Sequence, residues 1–520
     1  MPTENSEVTQ YLRILDTTLR DGDQAAGFAF SPAQKIRLAA LIDGCGVDCI
    51  EAGFPCSSPA EYSVCKDIVQ ADLRADIAVM SRCLKDDIVK SAEVFSKINN
   101  ARRAVMHLTI PVSDIQMRVK LHKTGAEILH VLDESVRLSG KLIGKVEIGF
   151  EDATRADRGF LSACCRTAAA AGAFAVNIAD TTGSILPEEL PELIRFLIRE
   201  IPSFSDRRVL LSVHCHNDCG LALANTLAAV KAGAMQAEVT AAGLGERCGN
   251  TPLEELAYVL STHGDFYQVM TGLRKEHFAE LYRTLFAYCG TDFSPLKPVT
   301  GWNSDSHASG LHQQGIRADP SSYIANPVES YGMVHRRYVL NSHSGKNGLF
   351  AVINNLTNGA VGLSEKDAEL LLTEIKSLPE NEVGVTTLCD LLYKHKFISR
   401  KPLTEGSVKT AYENGVYQVE VSSNQCRAEG TGDTLESALI VAVNTLFSLD
   451  VRLVTVSLSM YWADGIENGR TRVYAELYSG KSKKTYAVSA CGKNKETALF
   501  CCLLDVVNAE QLFCSILQNQ

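Results

Sequence analysis

Over residues 1–270 the chain alternates short apolar runs with longer amphipathic stretches. Apolar runs at 12–16, 47–53, 76–81, 104–110, 144–150, 174–179, 208–214 and 235–241 predict strands. The stretches at 32–43, 59–70, 86–98, 125–138, 158–171, 188–200, 219–232 and 252–261 predict the helices that follow them. Eight such units, at roughly 30 residues per repeat, predict an α/β fold: a closed (β/α)8 TIM barrel rather than an open sheet. Residues 271–400 show mostly helical patterning broken by polar loops, read as an accessory and linker region. From 401 to 520 two similar units recur. Tyr417–Val421 leads to a helix over 434–448, and Val473–Leu477 to one over 495–508. Glu436-Ser437-Ala438-Leu439 and Glu496-Thr497-Ala498-Leu499 occupy matching places. This weak internal repeat predicts a pseudo-symmetric α+β domain with a regulatory or assembly role.

A parallel barrel carries its chemistry where the strands end. Polar residues stand at all eight such places: Asp16 with Arg20, Glu51, Arg82, His107, Glu151, Asp180, His214 with His216, and the turn 242–250. His214 and His216 follow an apolar run, and alternation along a strand sends both to one side. Two imidazoles so spaced can clamp one divalent ion. The segment 16–22 adds carboxylates and a guanidinium just past strand one. Together they point to a metal-dependent enzyme acting on an anionic, oxygen-rich substrate. The turn through Gly243, Gly245 and Gly249 lets backbone approach a ligand closely, with the spacing of neither a dinucleotide fingerprint nor a P-loop.

Composition narrows the class. A chain of 520 residues, 46% hydrophobic and 22% charged, is globular and multi-domain. A net charge of −10 without a Lys/Arg-rich block argues against nucleic acid as partner. Neither a signal peptide nor a membrane-length apolar run is evident. The 17 cysteines follow no disulfide spacing and are read as reduced core residues of a cytoplasmic protein.

Three ordered motifs give a resemblance. Asp-Thr-Thr-Leu-Arg-Asp-Gly (16–22), His-Cys-His-Asn-Asp-Cys-Gly (214–220) and Gly-Leu-Gly-Glu-Arg-Cys-Gly-Asn (243–250) resemble those of the 2-isopropylmalate synthase and homocitrate synthase family. The resemblance covers essentially the whole chain. Residues 51–59 and Ser309–Gln313 are similar to the isopropylmalate branch, whereas 24–31 and 110–116 are similar to homocitrate synthases. Asp23 stands where the family's first motif usually has glutamate. The resemblance implies acyl transfer: acetyl-CoA condenses with a 2-oxo acid, and the thioester is then hydrolysed. The foremost substrate is 3-methyl-2-oxobutanoate, giving 2-isopropylmalate for leucine biosynthesis. The alternatives are 2-oxoglutarate and pyruvate, giving homocitrate and citramalate.

Within that resemblance, Asp16, His214 and His216 are expected to ligate Zn²⁺, Mn²⁺ or Mg²⁺. Asn250 either reaches the ion through water or caps the helix opening near Thr251-Pro252. Arg20 is expected to face the oxo acid's carbonyl and developing alkoxide, with a structural ion pair to Asp21 or Glu51 as the alternative. Glu151 and His312 complete the catalytic set, with His312 reaching the neighbouring subunit's site in a homodimer. Asp21, His107, Ser113 and Thr181 are expected to bind substrate, with a satisfied core histidine as the alternative for His107 and a local cap as that for Thr181. Gly243, Gly245 and Glu246 are expected on the acetyl-CoA side, with a Glu246–Arg247 ion pair as the alternative. The C-terminal repeat is similar to a leucine-sensing domain. Two other classes compete. One is an aldol-type lyase such as hydroxymethylglutaryl-CoA lyase, against which the long second half argues. The other is an inactive amino-acid sensor, against which the retained polar set argues.

Overall fold

Eight parallel strands close on themselves. They are β1 (Arg13–Asp16), β2 (Cys49–Glu51), β3 (Asp76–Arg82), β4 (Ala104–Pro111), β5 (Lys145–Glu151), β6 (Ala175–Asp180), β7 (Leu210–Cys215) and β8 (Gln236–Val239). Each pairs with the next, and β8 returns to β1 with Gln236 opposite Arg13 and Val239 opposite Asp16. The expected TIM barrel is therefore present, with strands within two residues of their apolar runs. A computed structural model describes residues 10–27, 29–289, 294–333, 338–378, 382–404, 406–413, 415–423, 426–461 and 470–518. The chain divides into two units, Met1–Cys289 and Gly290–Gln520.

The helices start where capping chemistry places them. Ser31 and Thr124 form capping boxes with Gln34 and Glu127, and Ser58 and Asp157 accept from the Glu61 and Phe160 amides. Pro32 and Pro59 occupy first-turn positions, where a missing N–H costs nothing. Inside the barrel, Leu15, Cys49, Ala78 and Val105 form one buried layer. Two residues further along, on the same face of each strand, stand Glu51, Met80 and His107. Helix Phe278–Cys289 lies beyond the barrel boundary read at 270 yet belongs to the first unit, where the Tyr282 hydroxyl donates to Glu254 at 2.6 Å.

Among its described residues the second unit has two hydrophobic cores. Helices Lys346–Thr357, Glu365–Ser377 and Val385–Lys394 enclose Leu349, Ile353, Leu371, Ile375, Leu388 and Leu392. The repeat seen in the sequence becomes two copies of three antiparallel strands and a helix. The first has β9 (Ser407–Glu413), β10 (Val416–Ser423), β11 (Cys426–Gly432) and helix Leu435–Phe447. The second has β12 (Val451–Tyr461), β13 (Arg470–Ser479), β14 (Lys484–Gly492) and helix Lys495–Gln518. Both copies share one core, with Val419, Val421 and Leu439 from the first and Val473, Leu477 and Leu503 from the second. Strands β9, β11 and β12 were not anticipated. The exposed residues of β9 give it no apolar alternation to read.

The cysteines whose side chains are described are free thiols, most of them buried. Among the described residues no helix is long and apolar enough to cross a membrane.

Candidate active site

A cavity of about 570 Å³ opens at the carboxyl ends of the strands, lined by residues from the barrel and its loops. Of the residues expected at the site, Arg20, Asp21, His107, Glu151, Thr181, His214, His216 and Glu246 line it.

The densest chemistry lies at the end of β7. His214 and His216 are both buried, their Nε2 atoms 3.2 Å apart. Asp21 Oδ2 lies 3.4 Å from His214 Nε2 and 4.0 Å from His216 Nε2. Ligand atoms held ~2.0–2.1 Å from a tetrahedral ion stand about 3.3 Å apart, so the three atoms fit one small divalent cation. Among the described residues this trio is a possible buried metal site. Its outer contacts are of the kind such sites use. His214 Nδ1 lies 2.8 Å from Glu238 Oε2, and a carboxylate there fixes the ring's tautomer.

Asp16 is not part of this group, which corrects the expected ligand set. Leu15 faces the barrel interior with Cys49 and Val105, so Asp16, the next residue, faces the other way. Its Oδ1 accepts from the Thr18 amide at 2.9 Å, its Oδ2 has no partner, and burial pushes its carboxyl up to about 7. Asp21 instead follows a tight turn in which the Thr17 carbonyl accepts from the amides of Arg20, Asp21 and Gly22. That turn carries Arg20 and Asp21 back over the barrel mouth. Period-two alternation was the overlooked signal.

Arg20 is held in two directions: Nε donates to Glu51 Oε2 at 2.6 Å and Nη1 to Asp21 Oδ2 at 3.0 Å. Glu51 is fully buried, and its second oxygen lies 2.8 Å from His107 Nδ1. His107 thus both lines the cavity and has a satisfied core contact. Burial disfavours its charge, but Glu51 outweighs that and raises the imidazole to about 9. Burial would likewise raise Asp21, yet Arg20 and the two histidines hold it well below the usual carboxylate range. Burial and the neighbouring His214 push His216 down to about 4, leaving it neutral and able to act as a ligand.

Glu151 closes β5, and both its oxygens are taken by Lys120 Nζ, at 2.7 and 2.8 Å. Thr181 Oγ1 accepts from the Asp152 amide at 2.8 Å. Ser113 does not line the cavity. Its hydroxyl donates to Asp152 at 2.5 Å and accepts from the Gln116 amide, which is a capping role. Asn250 bridges to His216 through backbone, and its Nδ2 donates to Leu244 at 3.0 Å. Its Oδ1 is buried without a partner. The capping alternative is not what the structure shows, because helix Leu253–Tyr267 follows Pro252 and takes no side-chain cap.

Gly243 and Gly245 do not line the cavity either. The glycines of this turn serve the turn itself. Gly249 sits at φ +85°, and a Cβ there would strike the Gly243 carbonyl. Arg247 pairs mainly with Asp218, at 2.8 and 2.9 Å, and only at 3.6 Å with Glu246. His312 lies in the second unit, on helix Gly310–Ala318, with its ring stacked on Tyr323 at 4.2 Å. Glu238, Asn177 and Glu147 were missed in the sequence. All three are buried polar residues on barrel strands, and Glu238 and Asn177 line the cavity. A second possible ligand group, His107, Glu147 and Glu238, lies among them.

The barrel and the region after it each match a known family. The HMGL-like family model matches residues 11–285, and the model described as homocitrate synthase post-HMGL domain-like matches residues 299–383. Curated relatives are more specific. A 2-isopropylmalate synthase of Sediminispirochaeta smaragdinae is 32% identical over 499 residues, 92% of this chain and 96% of the relative. One of Pyrococcus furiosus is 34% identical over 94% of this chain and 98% of its own. One of Nitratidesulfovibrio vulgaris is 37% identical over 71% of each chain. The chain belongs to the 2-isopropylmalate synthase family.

Proposed function

We propose that this enzyme is an acyltransferase that condenses acetyl-CoA with 3-methyl-2-oxobutanoate and hydrolyses the thioester, yielding 2-isopropylmalate. The observation that carries the reading is the Asp21–His214–His216 trio on the cavity wall beside Arg20. When bound there, a divalent ion supplies Lewis-acid polarisation of the oxo acid's carbonyl. Asp21 and the two imidazoles would hold it, and the orphaned Asn250 Oδ1 would be free to accept from a water beside it.

Arg20, fixed by Glu51 and Asp21, presents a guanidinium to the oxygen on which charge grows, and its rigidity means little reorganisation during reaction. Thr181 offers a hydroxyl to the oxo acid's carboxylate. Glu151 takes the methyl proton of the acetyl group or activates water, once Lys120 yields its hydrogen bonds. His312 is assigned to the neighbouring subunit's site in a homodimer. The enzyme works in the cytoplasm, and leucine is the effector assigned to the paired C-terminal repeats.

A second reading, 2-oxoglutarate as substrate, is favoured by Arg82, Lys120 and Lys123, which line the same cavity and suit a second carboxylate. CoA release by metal-loaded protein decides between them, measured with 3-methyl-2-oxobutanoate, 2-oxoglutarate, pyruvate and oxaloacetate. Selective release with the first, abolished by a chelator, is the expected outcome. Release with 2-oxoglutarate alone establishes the second reading, and no release with any substrate overturns both.

A further inference from the structure

Strand β8 carries a carboxylate in its middle, Gln236-Ala237-Glu238-Val239, where a barrel strand is normally apolar. Glu238 is 1% exposed, and its two oxygens serve different partners. Oε2 lies 2.8 Å from His214 Nδ1. Oε1 accepts from the Asn177 side-chain amide and lies 3.9 Å from His107 Nε2. The contacts continue into a closed ring. His107 Nδ1 meets Glu51 at 2.8 Å, Glu51 accepts from Arg20 at 2.6 Å, and Arg20 donates to Asp21 at 3.0 Å. Asp21 returns to His214 Nε2 at 3.4 Å. Anionic groups and nitrogen-bearing groups alternate all the way round, and Glu238 is the member that joins the metal ligand to the opposite cavity wall.

We propose that Glu238 is a positioning residue that couples the metal site to the substrate wall. One oxygen holds His214 with its Nε2 lone pair toward the ion, and the other fixes Asn177 and His107 on the cavity lining. The proposal rests on the functional reading above for the presence of the ion. The physical reason is tautomeric. An imidazole that gives its Nδ1 proton to a carboxylate has only Nε2 left for a cation. Without Glu238 the proton is free to sit on Nε2, where it would face His216 Nε2 at 3.2 Å and block the ligand position.

The test uses the full chain, stripped of metal, as wild type, Glu238→Gln and Glu238→Asp. Zn²⁺ affinity is measured by chelator competition, and the His214 tautomer by long-range ¹H–¹⁵N spectra of the Zn²⁺-loaded protein. Glu238→Gln is expected to weaken Zn²⁺ by about 10- to 100-fold and to shift His214 toward the Nε2-protonated form. A raised KM for the oxo acid accompanies both changes, and Glu238→Asp, which keeps the carboxylate, recovers part of the affinity. Wild-type affinity and an unchanged tautomer in Glu238→Gln overturn the proposal. So does an equal loss in Glu238→Asp and Glu238→Gln, the mark of packing alone. A wild-type chain that binds no divalent ion defeats the functional reading itself, and this proposal with it.

Discussion

The two aspartates of the 16–21 segment have opposite surroundings, and the difference follows from strand parity. Asp16 is the last residue of β1 and faces away from the barrel interior, whereas Asp21 lies beyond a turn that folds back over the mouth. Asp21→Asn is expected to weaken divalent-metal binding by more than about 10-fold and to abolish turnover. Asp16→Asn, which keeps an acceptor for the Thr18 amide, is expected to leave metal affinity near that of the wild type. Chelator competition on both variants checks the pair. The histidines were legible because His214 sits on the strand and His216 extends it through a bridge to Asn250, so alternation fixes their direction. Asp21 and Ser113 were harder to place, because the path of a loop depends on backbone hydrogen bonds that no periodicity encodes. Glu238 was overlooked for the converse reason: a lone carboxylate inside an apolar strand reads as noise until the barrel closes and shows what it faces.

Elements were legible where pattern and capping agreed. The barrel strands fell within two residues of their runs, and helices such as Pro59–Gln70 matched at both ends because Ser58 and Pro59 mark the start. In the second unit, helices Glu365–Ser377 and Leu435–Phe447 start on local capping boxes, but one helix start is set by a distant residue. Helix Val385–Lys394 has no local side-chain cap, and instead Asp505 accepts from the Thr386 amide at 2.8 Å. Burial raises the Asp505 carboxyl to about 6, with Glu382 adding to the shift. A carboxyl raised in the folded state binds its proton more tightly there than in the unfolded chain. Its contribution is therefore full below about pH 4 and is lost as pH rises to about 6, a change of roughly 3 kcal/mol. Asp505→Asn removes that dependence. Denaturant unfolding of the second unit at pH 4 and pH 6.5 should show the wild type losing stability relative to the variant. A constant difference between the two proteins contradicts it.

For the whole molecule, the shared-site assignment of His312 makes a prediction that needs no structure of the assembly. Asp21→Asn and His312→Ala chains, each inactive alone, are expected to regain activity when unfolded together and refolded as mixed dimers. If each site is built from one chain, mixing restores nothing. The two units also differ in how they can associate. In the closed barrel every strand has a neighbour on both sides. The two three-stranded sheets end on β9 and β11 and on β12 and β14, whose outer N–H and C=O groups take no strand partner within their sheets. Growth by strand addition, whether an ordered assembly or a misfolded aggregate, is thus open to the edges of the C-terminal sheets and closed to the barrel strands, each already paired on both sides.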